Sequence, residues 1–215
     1  MRNTTYRKIL LNREAGQKML AVLIDPDLCK GRNLIKTVIE LKTNTPDFVF
    51  IGGSHTHEST DSLIDFIKEE VKAEIVLFPG DALQFSPKAD ALLYLSLISG
   101  RNAEYLIGQH VNSAIKVKKS ELEVIPTAYI LIDGGKTSSV EYISNTRAIP
   151  RDKKDIALST AVAGELLGMR LVYLEAGSGA NNTLKTSIIN AVKKHITVPL
   201  IVGGGINSIK KAEAI

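Results

Sequence analysis

Tryptophan is absent from this 215-residue chain, and only five Phe and six Tyr supply its large aromatic side chains. Leu, Ile, Val and Ala carry the apolar fraction instead, the mix that buried parallel strands packed between helices require. A single cysteine, Cys29, excludes an intrachain disulfide and points to a reducing, cytoplasmic setting. Nothing around Cys29 has the make-up of a catalytic thiol site, so we read it as a packing residue. No run approaches the ~18 unbroken apolar residues of a membrane span, and the first residues lack the apolar core of a signal peptide. Contact with a bilayer is then at most peripheral. Neither sign of charge is in large excess: 27 basic against 23 acidic residues leave +4. The basic residues are scattered, apart from short runs at 116–119 and 151–154 that read as solvated faces, and we expect no nucleic-acid partner. An anionic small molecule suits the balance.

What the chain does have is a rhythm. Short apolar runs end in Gly or an acid and give way to amphipathic stretches. The runs are "MLAVLID" (19–25), "DFVFIGG" (47–53), "EIVLFPG" (74–80), "ALLYLSL" (91–97), "TAYILIDGG" (127–135), "LVYLEAG" (171–177) and "PLIVGGG" (199–205). The spacing predicts helices over 31–43, 58–71, 103–118, 155–169 and 182–195, a short helix or turn over 81–85, and another helix starting near 208. Strands alternating with helices imply a parallel sheet, and continuous apolar runs imply that both its faces are covered. No linker divides the chain, which reads as one domain over 1–215. An open doubly wound sheet and a (β/α)8 TIM barrel both fit. The barrel is favoured because nearly every run ends in polar or Gly residues, and a barrel gathers all strand ends on one face. No G-x-G-x-x-G follows the first run, which weakens a dinucleotide reading. Seven units are present; a full barrel has eight, so the eighth strand and helix are expected to be missing from this chain.

Several of these ends carry chemistry. "VGGGI" in the seventh unit and "AGSGA" in the sixth allow backbone N–H groups to approach an anion, with the next helix adding its positive end and Ser178 a hydroxyl. The competing reading is a tight ligand-free turn. Asp25 closes the first run; with a hydroxyl such as Ser54 it suits Mg2+, or it caps the following loop or helix. His55 and His57 form an H-x-H pair without an evident third ligand and read as solvated loop residues. Lys136, Thr137 and Ser138 follow the fifth run, where they either contact an anion or merely continue a turn. Glu175 ends a buried strand on the same face as Tyr173 by the period-two rule. It needs partners there: a basic residue if it is structural, a substrate hydroxyl or proton if it is functional.

Taken together and in order, "DPD", "FIGGS", "FPG", "YLEAGSGA" and "VGGGI" resemble the geranylgeranylglyceryl phosphate synthase family, including its bacterial heptaprenylglyceryl phosphate synthase-like members, over residues 18–206. The resemblance implies a TIM-barrel prenyltransferase that joins sn-glycerol 1-phosphate to a polyprenyl diphosphate, geranylgeranyl or longer, and forms a homo-oligomer. It implies that Asp25 and Ser54 hold Mg2+, and that Tyr173, Leu174, Glu175, Ala176, Gly177, Ser178 and Gly179 form the glycerol-phosphate loop. Glu175 is then the catalytic candidate. Gly203, Gly204 and Gly205 become half of a phosphate cradle whose other half, a Gly-Asn turn after the eighth strand, is missing here. The prenyl tail needs an apolar groove, for which 91–100 and the helix from Ala103 are candidates. The D-D-x-x-D motif of helical prenyl synthases is absent, in keeping with a different fold. Two rivals use the same scaffold: an isomerase or aldolase of a phosphorylated metabolite, and a non-catalytic phosphate-ligand sensor. The first usually wants a Lys or an acid–base pair at the strand ends, and no apolar run contains a Lys; the second needs neither Asp25 nor Glu175.

Overall fold

The computed structural model describes residues 4–54 and 60–215, which fall into two compact units. The first unit comprises residues up to Tyr94 together with His110–Ile125. It opens with helix α1 (Thr4–Glu14), then alternates β1 (Ala21–Ile24), α2 (Gly31–Thr43), β2 (Phe48–Ile51), α3 (Thr60–Glu70) and β3 (Glu74–Leu77). A single 3-10 turn, Ala82–Gln84, takes the place of a full helix before β4 (Ala91–Leu97), as the short 81–85 stretch led us to expect. Ile24 pairs with Ile51, and Ile51 with Leu77, so the first three strands end level. Val49, Ile51, Ile64, Ile67, Ile75 and Leu77 are fully buried and form the centre of this core. The buried carboxylate of Glu123 accepts hydrogen bonds from the N–H groups of Thr5 and Tyr6, both at 2.9 Å, and so caps α1.

The second unit comprises Leu95–Gln109 and the residues from Pro126. Helix α4 (Gln109–Lys119) and strand β5 (Glu123–Leu131) span the two segments' junctions; then come α5 (Ser139–Ser144), α6 (Lys154–Leu166), β6 (Leu171–Glu175), α7 (Thr186–His195), β7 (Leu200–Gly203) and α8 (Ile209–Glu213). Leu131 pairs with Glu175 and Glu175 with Gly203, which brings three strand ends level. Helix α6 presents Ala157, Ala161 and Gly164 inward; a Cβ on Gly164 would lie 2.7 Å from that of Ala128, so the small residues permit close approach of helix to strand.

The sheet order follows the chain from β1 to β7, and the β1–β2, β2–β3, β3–β4, β5–β6 and β6–β7 pairings are all parallel. Seven successive strand and helix units of a (β/α) TIM-barrel fold result. Two features differ from the sequence expectation. Apart from β4, which ends with its run at Leu97, the strands stop short of the ends of their apolar runs, β3 at Leu77 and β5 at Leu131, while β6 and β7 take in Glu175 and Gly203. The outer strands β1 and β7 are only partly buried, whereas β2 and β6 are buried throughout, so the covering of both faces holds for the inner strands. Among the described residues no helix is long and apolar enough to cross a membrane.

Candidate active site

Glu175 is 6% exposed at the last position of β6. Alternation along the strand puts it on the same face as Tyr173, whose phenol hydrogen-bonds the carboxylate. The N–H of Gly177 donates to Glu175 Oε1 at 2.7 Å. No Lys or Arg among the described residues pairs with Glu175, so the salt-bridge reading falls. Burial is the largest influence on this carboxyl group; it outweighs the hydrogen bonds from Gly177 and Tyr173 and raises the pKa from 4.5 to about 7. Tyr129 pairs with Tyr173 across the strands, their rings edge-on at 5.5 Å. Burial, and then the nearby Glu175 charge, raise both phenols well above their ordinary range and keep them protonated as donors.

The glycines around this carboxylate are there because nothing larger fits. A Cβ on Gly203 would lie 2.4 Å from the Tyr173 hydroxyl and 2.7 Å from Glu175 Oε2. The Ala176 N–H donates to the Gly203 carbonyl at 3.1 Å, tying the two glycine-bearing turns together. Ser178 and Gly179 are exposed, Gly204 and Gly205 partly so, and none of their N–H groups has an acceptor among the described residues. These are free donors for an anion. The helices that follow begin some residues beyond the glycine turns. Helix α7 begins at Thr186 rather than near 182, and α8 begins at Ile209, is five residues long, and is capped by the Ser208 hydroxyl. The free donors of the cradle belong to turns rather than helix termini.

In the first unit, Asp25 follows directly on Ile24, and Ser54 lies three residues past Ile51, its partner in the register. Asp25 Oδ1 accepts the N–H of Asp27 at 2.9 Å, an Asx turn that directs the chain away after Pro26. Asp25 Oδ2 has no partner among the described residues. Asp27 is turned aside toward Lys30, its Oδ1 at 3.3 Å from the ammonium nitrogen. A carboxylate and a hydroxyl fit Mg2+, which takes oxygen donors and fills its remaining positions from water and substrate. No group of three or more His, Cys, Asp or Glu suited to a metal occurs among the described residues, so a cage of the zinc type is not on offer there.

Sequence reasoning missed Gln84. Buried at 4% exposure, its Oε1 accepts the N–H groups of Gly53 and Gly80, both at 3.2 Å, and its Nε2 donates to the Gly53 carbonyl at 2.8 Å. It clamps the ends of β2 and β3 and fixes the approach to Ser54. A lone Gln in a short turn carries no periodic signal. Tyr129 was also passed over, although it occupies in the fifth run the place that Tyr173 holds in the sixth.

The remaining candidates scatter. His55 and His57 lie outside the described residues. Cys29 is half-buried with Sγ 3.6 Å from the Thr37 hydroxyl, in keeping with packing. Of the 91–100 stretch, Ala91, Leu92, Leu93 and Leu97 are core residues rather than groove lining. Ile98 and Gly100 do line a cavity of about 490 Å3 in the second unit, with Leu106, Ile156 and Leu167. Among the described residues no Lys lies in a strand.

The chain is 48% identical over 213 residues to the geranylgeranylglyceryl phosphate synthase of Chitinophaga pinensis, spanning 99% of this chain and 84% of that protein. Against the protein of the same name from Thermoplasma acidophilum the identity is 36%, over 98% and 83% of the two chains. The crystal structure of (S)-3-O-geranylgeranylglyceryl phosphate synthase from Thermoplasma acidophilum, in complex with sn-glycerol-1-phosphate, matches with a TM-score of 0.91 at 34% identity, covering 100% of this chain and 86% of that one. An aldolase named QR15, at 8% identity and a TM-score of 0.54, shares the fold alone. The class so defined is a TIM-barrel enzyme, a transferase of prenyl groups in lipid biosynthesis. The chain belongs to the PcrB family, whose family model matches residues 13–215.

Proposed function

We propose that the protein is a Mg2+-dependent geranylgeranylglyceryl phosphate synthase that joins a polyprenyl diphosphate to the C3 hydroxyl of sn-glycerol 1-phosphate. One observation carries the reading: a buried carboxylate without a cationic partner stands level with a glycine turn of unpaired N–H groups. A phosphorylated polyol has the matching parts, hydroxyls for the first and a dianion for the second. Glu175, with a pKa near 7, accepts the hydroxyl proton at working pH or holds the hydroxyl in place. Tyr173 donates to Glu175 and fixes the carboxylate's rotamer. Ser178, Gly179, Gly204 and Gly205 receive the phosphate through their N–H groups. Asp25 and Ser54 are the residues that would hold Mg2+, which neutralises the diphosphate and improves it as a leaving group. The carbon–oxygen bond to diphosphate breaks, the ether bond forms, and the hydroxyl proton leaves through Glu175 or solvent.

A heptaprenyl donor would be used by the same chemistry, and the oligomeric state is proposed as a symmetric homo-oligomer. The test is incubation of the protein with Mg2+, labelled sn-glycerol 1-phosphate or its 3-phosphate enantiomer, and polyprenyl diphosphates of graded length. Ether product from the 1-phosphate in strong preference to the 3-phosphate is expected, because a fixed carboxylate and a fixed cradle present only one enantiomer's free hydroxyl correctly. No product with any donor, or equal turnover of both enantiomers, overturns the reading.

A further inference from the structure

We infer that Lys136 is a specificity-determining residue of this site, its ammonium group supplying the positive charge that meets the substrate's phosphate on the Gly177–Gly179 turn. The inference rests on the function proposed above and deepens it. The Lys136 ammonium nitrogen lies 3.1 Å from where a Cβ on Gly179 would sit, so the side chain lies across the turn.

The backbone that carries Lys136 is pinned on both sides. Asp133 Oδ1 accepts the N–H of Gly135 at 2.8 Å, and Gly135 has a φ of +87°, a conformation that favours glycine. The Asn182 N–H donates to the Gly134 carbonyl at 3.0 Å, and Asn181 Nδ2 donates to the Gly135 carbonyl at 3.1 Å. On the other side, Ser138 opens α5 in a capping box with Glu141. Beneath it, a Cβ on Gly177 would lie 2.9 Å from that of Ser138. The loop is thus fastened onto the turn it covers, and the lysine chain is the part left to move.

The charge on Lys136 has no internal use among the described residues. Lys42, Lys68 and Lys88 are each held by a carboxylate, of Glu70, Asp90 and Asp65 in turn. The carboxylates nearest Lys136 along the loops are already engaged: Asp133 by Gly135, and Glu175 by Gly177 and Tyr173. The other glycine turn has a charge of its own, the Lys211 ammonium donating to the Gly205 carbonyl at 3.0 Å, whereas the ammonium that lies on the Gly177–Gly179 turn is that of Lys136. The turn N–H groups themselves carry only partial charges. A phosphate monoester is close to a dianion at neutral pH, and a compact ammonium ion suits it. Lys136 therefore selects a phosphorylated polyol over the free polyol without taking part in bond making.

The experiment measures equilibrium binding of sn-glycerol 1-phosphate to the full chain, without prenyl donor, and then steady-state kinetics in both substrates. The variants are Lys136→Gln, Lys136→Arg and, as a surface control, Lys118→Gln. Lys136→Gln should raise Kd and KM for the glycerol phosphate about five- to twentyfold, the range for a solvent-touched charge-assisted hydrogen bond. Its kcat, its KM for the polyprenyl diphosphate and its Tm should stay near those of the wild type. Lys136→Arg should recover most of the affinity, and added salt should weaken the wild type more than Lys136→Gln. Unchanged Kd in Lys136→Gln, or a fall in Tm with both KM values raised alike, overturns the inference alone. Failure of the wild-type chain to bind sn-glycerol 1-phosphate overturns the proposed function, and the inference with it.

Discussion

Gly204 stands so close to Glu175 that a Cβ on Gly204 would lie 2.4 Å from Glu175 Oε1 and 2.7 Å from the Ala176 nitrogen. The glycine also sits at a φ of +84°, where L side chains are strained. Gly204→Ala is therefore expected to lose about 1–3 kcal/mol of stability and to displace the carboxylate it meets. Thermal melts and turnover per folded molecule check this; a variant with unchanged Tm and turnover contradicts the geometry.

Glu175→Gln separates folding from function. The folded-state pKa near 7 is above the ordinary 4.5, so the folded protein holds this proton more tightly than the unfolded chain. The group's contribution is therefore most favourable below pH ~4.5, falls as the pH rises toward about 7, and is level above that. The full penalty corresponds to roughly 3 kcal/mol. Glu175→Gln should lack this slope and be as stable as the wild type or more so at pH 8. Its turnover should fall about 10²- to 10⁴-fold if Glu175 acts as base. Urea titrations from pH 4.5 to 8 and kinetics on the same preparations decide it; a destabilised variant with normal turnover returns Glu175 to a structural role.

Asp25→Asn keeps an oxygen to accept the Asp27 N–H, so the Asx turn at the end of β1 should survive and the circular dichroism spectrum should not change. The loss is confined to the second oxygen's charge. Apparent Mg2+ affinity should drop by at least about tenfold, since even residues that only support a metal ligand have effects of 10- to 100-fold. Activity titrated with Mg2+ reads this out directly, and an unshifted titration curve would remove Asp25 from the metal's coordination.

Glu123→Ala tests a purely structural carboxylate. Two buried N–H groups at the start of α1 lose their acceptor, for an expected cost of about 1–3 kcal/mol, with KM for both substrates unchanged. Urea unfolding and steady-state kinetics measure the two quantities separately.

Strands and most helices were legible because the apolar runs are long and bounded by Gly, Pro and acids. Helix α1 was not. Only Thr5, Tyr6 and Ile9 are buried in it, too few to set up a periodic face, and its cap comes from a residue 118 positions away. Helix α5 carried a readable signal, the S-x-x-E of Ser138 and Glu141, hidden inside what looked like a loop. At the site, alternation alone predicted that Tyr173 and Glu175 share a face. That Glu175 would find no basic partner among the described residues was invisible, because any of the chain's 27 basic residues was free in sequence to supply one. Gln84 was illegible for the same reason: its three hydrogen bonds reach glycines whose spacing in sequence says nothing about their spacing in the fold.

The bond from Glu123 to Thr5 and Tyr6 also imposes an order on events. Helix α1 has eleven residues, fewer than an isolated helix needs to persist in water. Its N-terminal donors face solvent until β5 arrives, and bringing the two together closes a loop of more than a hundred residues, with the entropy that entails. The amides of Thr5 and Tyr6 will thus become protected from hydrogen exchange late, after the strand that caps them has docked. In the native protein their exchange will report the transient release of β5, so that a helix near one end of the sequence serves as the clock for a strand in its middle.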